Sequence, residues 1–258
     1  MSTVIYPSPI FGPIHSRRLG ISLGVNLMPN DGKVCTFDCL YCECGFNKDR
    51  RPSHPRPARK EVFASLKAQL QRMLDENKSL DVITFAGNGE PTAHPDFYDI
   101  VKDTIDLRNH YFPKAKVSVL SNATLIDRPK VFEALKMVDN NILKLDTVNL
   151  DYIKTVNRPL LHYSLEEIIN NMERFNGHVI IQTMFMKAYI NGFLVDNTNE
   201  KYVGPWLEAI RKIRPQQVMA YTIDRETPDK SLEKVSPTEL NNIVQRVQDI
   251  GIKATASY

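Results

Sequence analysis

A partial α/β barrel is the fold that this 258-residue sequence predicts, on three observations. Short apolar runs alternate with amphipathic stretches six or seven times. No shift of composition marks a linker, so residues 1–258 read as one domain. The polar residues with chemical character fall directly after the apolar runs, where α/β folds place their ligands. Repeated βα units imply parallel strands joined by right-handed crossovers. Strand starts near residues 22, 82, 117, 142, 179 and 217 are too many for a small open sheet and too few for a closed eight-stranded barrel. A doubly wound sheet is the alternative.

Each element carries its own signal. Residues 22–28 (SLGVNLM) form a first strand. A helix over 60–73 has the stripe Val62, Phe63, Leu66, Leu70, Met73 and Leu74. The run 82–86 (VITFA) suits a strand buried on both faces. Phe97, Ile100, Val101 and Ile105 mark the next helix, and 117–120 the next strand. Pro129 opens a short helix over 129–137, followed by a strand over 142–145. Ser164 with Glu167 is a capping box ahead of a helix, and 179–184 is a strand. Residues 205–213 are helical, with Trp206, Leu207 and Ile210 facing in, and 218–222 are a strand. Ser236, Pro237 and Glu239 start a helix through Leu240, Ile243, Val244 and Val247, before a last strand over 252–256. Two long loops interrupt the pattern, a proline- and arginine-rich one over 43–57 and a polar one over 188–203. Loops of that length serve as lids or binding loops, or simply decorate the surface.

Composition narrows the class. Apolar residues make up 42% and charged residues 24%, which excludes disordered and collagen-like chains. No apolar run approaches the roughly 18 residues of a membrane span. Residues 1–18 lack the basic start and apolar core of a signal peptide, so the expectation is a cytoplasmic protein with no membrane partner. The net charge of +3 does not by itself imply nucleic acid.

The four cysteines are Cys35, Cys39, Cys42 and Cys44, and the rest of the chain has none. A disulfide framework would spread its cysteines to staple distant segments, whereas a tight cluster points to a metal site. Cys35, Cys39 and Cys42 are spaced C-x3-C-x2-C directly after the first strand. Iron–sulfur clusters are normally held by four cysteines. Three thiolates, one per iron, leave one iron of a cubic cluster open to bind a reactant. Zinc competes, but structural zinc favours two separated pairs, and Cys42 and Cys44 stand one residue apart. A redox pair of Cys39 and Cys42 would leave Cys35 unexplained. Cys44 reads as a bystander or a fourth ligand in a resting state.

The C-x3-C-x-aromatic-C loop resembles the signature of the radical S-adenosylmethionine (radical SAM) superfamily. The resemblance implies a partial (β/α)6 barrel, a [4Fe-4S] cluster on Cys35, Cys39 and Cys42, and SAM bound through its amino and carboxylate groups to the open iron. An external electron donor such as flavodoxin or ferredoxin would reduce the cluster, and reductive cleavage of SAM would release a 5′-deoxyadenosyl radical. Tyr41 would lie near the adenine. Gly87, Asn88, Gly89, Glu90 and Pro91 match the family's Gly-Gly-Glu-Pro turn, with Asn88 replacing the first glycine. Asn tolerates positive φ better than most residues. A tight βα turn without a ligand is the plain reading of the same stretch. Ser121 and Asn122, after the third strand, fall where the family contacts SAM; a helix cap is the competing role.

Lys144 and Asp146 share a strand face and serve either as substrate or SAM contacts or as a buried ion pair. Gln182 lies on the fifth strand, and Arg225 after the sixth is a candidate carboxylate or phosphate clamp, or a surface arginine. The six histidines show no metal-ligand spacing. Several stretches, His15 to Gly20, Lys144-Leu145-Asp146, Asn157-Arg158-Pro159 and Tyr221 to Arg225 among them, resemble a compact branch related to wyosine-base synthases. Those synthases build a tricyclic base on tRNA and carry a second cluster on cysteines upstream of the SAM loop. This sequence has no cysteine before Cys35 and shows no large added RNA-binding domain. Arg17, Arg18 and the basic stretch 48–60 lack interleaved aromatics, so a solvated basic loop is preferred over an RNA platform. The expectation is therefore a small-molecule substrate. A tRNA-modifying enzyme or a non-catalytic iron–sulfur or zinc protein that binds RNA is the alternative.

Overall fold

The computed structural model describes residues 3–190 and 192–258. The hairpin β1 (Ile10–Ser16) and β2 (Gly20–Val25) opens the fold. Then follow α1 (Arg59–Asp75), β3 (Val82–Phe85), α2 (Phe97–Tyr111), β4 (Lys116–Ser121), α3 (Pro129–Met137) and β5 (Asn140–Lys144). A single turn, α4 (Leu150–Tyr152), widens into a π turn (Ile153–Asn157). The remainder is α5 (Leu165–Glu173), β6 (Ile180–Met184), β7 (Met186–Ile190), β8 (Phe193–Asp196), α6 (Glu200–Ile213), β9 (Gln217–Tyr221), β10 (Leu232–Lys234), α7 (Pro237–Asp249) and β11 (Ala254–Ser257).

The main sheet runs β1-β2-β3-β4-β5-β6-β9-β11. Only the β1–β2 pairing is antiparallel. The sheet curls into a half-barrel whose edges, β1 and β11, do not pair. The predicted parallel partial barrel is what forms, with the cysteine loop after β2, the first of the parallel strands. A small antiparallel sheet, β10-β7-β8, stands beside it.

Alternation along the strands separates the two faces. Leu23, Val25, Ile83, Phe85, Val117, Val119, Leu143 and Ile181 join the main core with the helix residues Val62, Leu66, Ile100 and Ile210. Each such side chain contributes about 1.5–3 kcal/mol on burial. The opposite face carries smaller or polar residues, Ser22, Gly24, Thr84 and Gln182, and these line a cavity in the half-barrel. Ser22 Oγ and Thr84 Oγ1 bond each other at 2.8 Å.

Three features differ from the sequence expectation. β1 was not anticipated, because Gly12 and Pro13 interrupt its alternation and it carries an irregular register between Phe11 and Ile14. The expected loop 188–203 is mostly the β7–β8 hairpin and the first turn of α6. That helix begins at Glu200, so Pro205 lies inside it and does not start it. Among the described residues, no helix is long and apolar enough to cross a membrane.

Candidate active site

The cysteine loop lies over the C-terminal ends of the strands and is pinned from three sides. Val34 forms a parallel bridge with Gly89 in the turn after β3: Val34 N donates to Asn88 O at 2.9 Å, and Glu90 N donates to Val34 O at 3.2 Å. Gly89 has φ +147°, and a Cβ there would stand 1.8 Å from Val34 O, so glycine is required for this approach. On the second side, Asp38 N donates to Asn157 O at 3.1 Å and Leu40 N to Val156 O at 2.9 Å, which ties the loop to the π turn. On the third, Cys35 N donates to Asn47 Oδ1 at 3.1 Å. Phe37, Leu40 and Tyr41 then pack with Val156, Met184 and Met186 in a separate apolar cluster.

The thiols stand in a defined electrostatic setting. Burial pushes Cys35 up to about 12 and Cys39 up to about 11. Hydrogen bonding from Cys44 brings Cys42 down to about 6, and the same contact drives Cys44 well up. The single Cys44 S–H faces two acceptors, Cys42 and, at 3.4 Å, Gly87 O. Lys33 is 3% exposed and donates to Gly45 O at 2.6 Å. Burial opposes its charge, but Cys42, Cys35 and Cys39 outweigh that and raise it well above an ordinary lysine. Asn122 Nδ2 points at Cys35 Sγ (3.6 Å) and Asn157 Nδ2 at Cys39 Sγ (3.8 Å).

The turn after β3 and the end of β4 lock together through Glu90. This buried carboxylate accepts from Thr92 N (3.1 Å), Thr92 Oγ1 (2.6 Å), Ser121 Oγ (2.8 Å) and Asn122 N (2.7 Å). Burial raises its pKa against those four bonds. Asn122 continues to Thr36 Oγ1 at 2.8 Å, so the chain of contacts runs from β3 to the cysteine loop. Asn88 is fully buried; its side chain donates to Tyr6 O and Pro29 O at 2.8 and 2.9 Å. Gly87 at φ +125° and Gly89 at φ +147° carry the positive φ of the turn, and Asn88 between them does not, so the tolerance for positive φ expected of Asn88 is not what fits it there.

Lys144 and Asp146 share a buried network with Tyr41, Asn157 and Tyr221. Tyr41 OH donates to Asp146 Oδ2 and accepts from Lys144 Nζ at 2.8 Å. Asn157 Nδ2 donates to Asp146 Oδ2 at 2.8 Å and to Tyr41 OH at 3.0 Å, while Lys144 Nζ stands 3.4 Å from Tyr221 OH. Lys144 and Asp146 themselves are 3.6 Å apart. Arg225 is 53% exposed; it donates to Glu43 Oε2 at 2.6 Å and to Tyr6 OH at 2.5 Å, joining the loop after β9 to the cysteine loop and the N-terminal segment. Of the basic stretch, Arg50 bonds Thr3 and Arg59 pairs with Asp103, so these two are taken up within the fold.

A cavity of about 500 Å³ occupies the half-barrel beneath these groups. Tyr41, Cys42, Gly87, Gln182, Tyr221 and Arg225 line it. Of the expected site residues, Tyr41, Cys42, Gly87 and Arg225 line this cavity, whereas Lys144, Asp146, Glu90, Ser121 and Asn122 do not.

The residues fit an iron–sulfur cluster. All three predicted ligands lean on one buried ammonium, and two receive amide N–H groups. Such contacts set cluster properties. The family model of the radical SAM superfamily matches residues 30–200. The chain belongs to the radical SAM superfamily.

Its relatives align over nine-tenths of this chain but over different shares of their own length. A UPF0026 protein of Helicobacter pylori is 31% identical over 90% of this chain and 71% of its own length. A Brachyspira hyodysenteriae protein named GTPase Obg is 26% identical over 90% of this chain, which spans only 32% of that protein. A radical SAM methyltransferase from Sphaerobacter thermophilus superposes with TM-score 0.66 over 92% of this chain and 66% of that one, at 17% identity, a likeness of fold alone. Membership makes the protein a radical SAM enzyme, using SAM and an iron–sulfur cluster, with its reaction subclass open.

Sequence reasoning missed Lys33, Asn157 and Tyr221 as site groups. Asn157 has a signal, the Asn157-Arg158-Pro159 stretch, but that stretch marks only a resemblance to a branch and gives Asn157 no role. Arg158 at φ 53° is what ends the π turn and leaves Asn157 pointing inward. Lys33 stands two positions before Cys35 and carries no separate signal.

Proposed function

We propose that the protein carries a single [4Fe-4S] cluster on Cys35, Cys39 and Cys42, with SAM completing the fourth iron, and acts on a small molecule. Cys35, Cys39 and Cys42 would hold the cluster, and the cluster with SAM would supply radical hydrogen-atom abstraction from the substrate. The observation that carries the reading is the position of Cys42, which belongs to the Lys33-facing thiol group and also lines the cavity. Chemistry started at the cysteine loop therefore opens onto a half-open cavity of the size that small ligands occupy.

The chain's own residues bind, orient and exclude water. Gly87, Asn88, Gly89 and Glu90 shape the turn whose backbone faces SAM, and Glu90 fixes Ser121 and Asn122 beside it. Tyr41 is held by Lys144 and Asn157 for the adenine side. Arg225 stands on the substrate side, paired with Glu43 at the cavity lining, and the buried Lys144–Asp146 pair holds Tyr41 from behind. An external donor of the flavodoxin or ferredoxin kind delivers the electron.

The test is made under strict anoxia. Reconstituted protein is given dithionite and SAM, and 5′-deoxyadenosine is measured by mass spectrometry, with Cys39→Ala as control. Product that requires the cysteine is the expected result. Stoichiometric zinc in anaerobically purified protein, with no cluster on reconstitution, overturns the reading in favour of a non-catalytic metal protein.

A further inference from the structure

The cavity holds one cation that its carboxylates do not balance. Arg17, Arg18 and Arg225 line it. Arg17 pairs with Asp224 at 3.2 Å and Arg225 with Glu43 at 2.6 Å. Glu226, also at the rim, stands 3.4 Å from Lys230. Arg18 instead donates to the neutral amide oxygen of Gln182 at 3.1 Å, and its guanidinium carbon lies 4.6 Å from the Tyr221 ring centroid. Among the described residues, no carboxylate stands within 4.0 Å of that guanidinium.

The position is built rather than incidental. Arg18 projects from the β1–β2 turn, whose backbone is fixed by Ser16 Oγ accepting from Arg18 N at 3.3 Å and Leu19 N at 3.2 Å. Gln182 comes from β6 and Tyr221 from β9, so three separate segments meet there. An aromatic face beneath a guanidinium fixes its plane by cation–π attraction. Gln182 engages one of five N–H donors, and the rest of the fork suits a planar carboxylate or a phosphate. A half-buried guanidinium without a carboxylate partner keeps its remaining N–H groups open to an incoming anion.

We propose that Arg18, with Gln182 beside it and Tyr221 beneath it, recognises one oxyanion group, a carboxylate or a phosphate, of the small-molecule second substrate. The assignment rests on reading the cavity as the substrate site of a radical SAM enzyme. The anionic end is anchored at Arg18, while Cys42 lines the same cavity and Leu19, Leu120 and Met184 give it apolar wall. The substrate is therefore an acid or phosphate ester with an apolar portion facing those walls.

The experiment measures binding of acetate and of inorganic phosphate to the reconstituted protein by calorimetry. Wild type is compared with Arg18→Met, Arg18→Lys and Arg17→Met, and SAM affinity is measured on each by equilibrium dialysis. The expected result is that wild type binds at least one probe, Arg18→Met binds it at least tenfold more weakly, and Arg18→Lys falls between. Arg17→Met stays within twofold, and SAM affinity stays within twofold throughout. The stronger probe identifies the group as carboxylate or phosphate. No probe binding to wild type, or unchanged binding in a folded Arg18→Met or Arg18→Lys, overturns the proposal. A tenfold loss of SAM affinity in Arg18→Met also overturns it, because it assigns Arg18 to SAM. Repeating the anion titration on cluster-free protein separates the two readings. Arg18-dependent binding without any SAM cleavage refutes the radical reading alone, and cleavage without Arg18-dependent binding refutes the anion site alone.

Discussion

Replacing Gly89 by alanine tests how the glycine turn supports the cysteine loop. The new Cβ would stand 1.8 Å from Val34 O, a backbone atom, at a φ of +147° that side-chain-bearing residues rarely adopt. The strained conformation costs about 1–3 kcal/mol. Relieving the clash separates the two segments and breaks the bonds Val34 N to Asn88 O and Glu90 N to Val34 O. At about 1 kcal/mol each, these add about 2 kcal/mol. The total of about 3–5 kcal/mol is a large share of a typical folding free energy of about 5–15 kcal/mol. Urea unfolding of the cluster-free protein gives the stability, and iron and sulfide content after reconstitution gives the loading. Both fall in Gly89→Ala. A variant within about 0.5 kcal/mol of wild type with full loading would refute the argument that this close approach holds the loop.

Further predictions concern the groups around the loop. Asn157→Asp puts a second carboxylate where an amide now lies 2.8 Å from Asp146 Oδ2, and costs at least about 3 kcal/mol in urea unfolding, more than Asn157→Leu. Cys44→Ser retains iron and sulfide at the wild-type level, measured on reconstituted protein, because the three other cysteines suffice. Lys33→Met leaves Asp38 and the thiols without their buried cation; stability of the cluster-free protein drops by about 3 kcal/mol, and the reduction midpoint of the cluster moves to more negative potential in an EPR-monitored titration. Glu239, hydrogen-bonded by Lys187 and Ser236, is held down to about 2 from 4.5. Its contribution is present above about 4.5 and fades as pH falls toward 2. Glu239→Gln therefore flattens that arm of the stability–pH curve, with a neutral-pH loss under about 1 kcal/mol because the pair is solvent-screened.

The barrel was legible because its strands and helices carry clear periods. The runs at 82–86 and 179–184 lie within a few residues of β3 and β6, and the Ser236 capping box opens α7 as expected. The β7–β8 hairpin was not legible, since its strands are short and Tyr189 and Leu194, both exposed, give no apolar alternation to detect. The expected cysteine ligand set rests on local spacing, and local spacing is what a sequence displays. Lys33 meets Asp38 and Gly45 within its own loop, whereas Asn157 and Arg18 act through partners far along the chain, such as Gln182 for Arg18 and Tyr41 for Asn157. Such roles arise only when the sheet curls and brings those segments together.

The central claim is that three cysteines leave one iron open for SAM. The most direct test is electron–nuclear double resonance on the dithionite-reduced, reconstituted protein with SAM carrying ¹⁵N at its amino group. The account predicts a ¹⁵N coupling to the cluster in wild type and equally in Cys44→Ser. A fully loaded cluster that shows no coupling, or one whose loading is lost in Cys44→Ser, would contradict it.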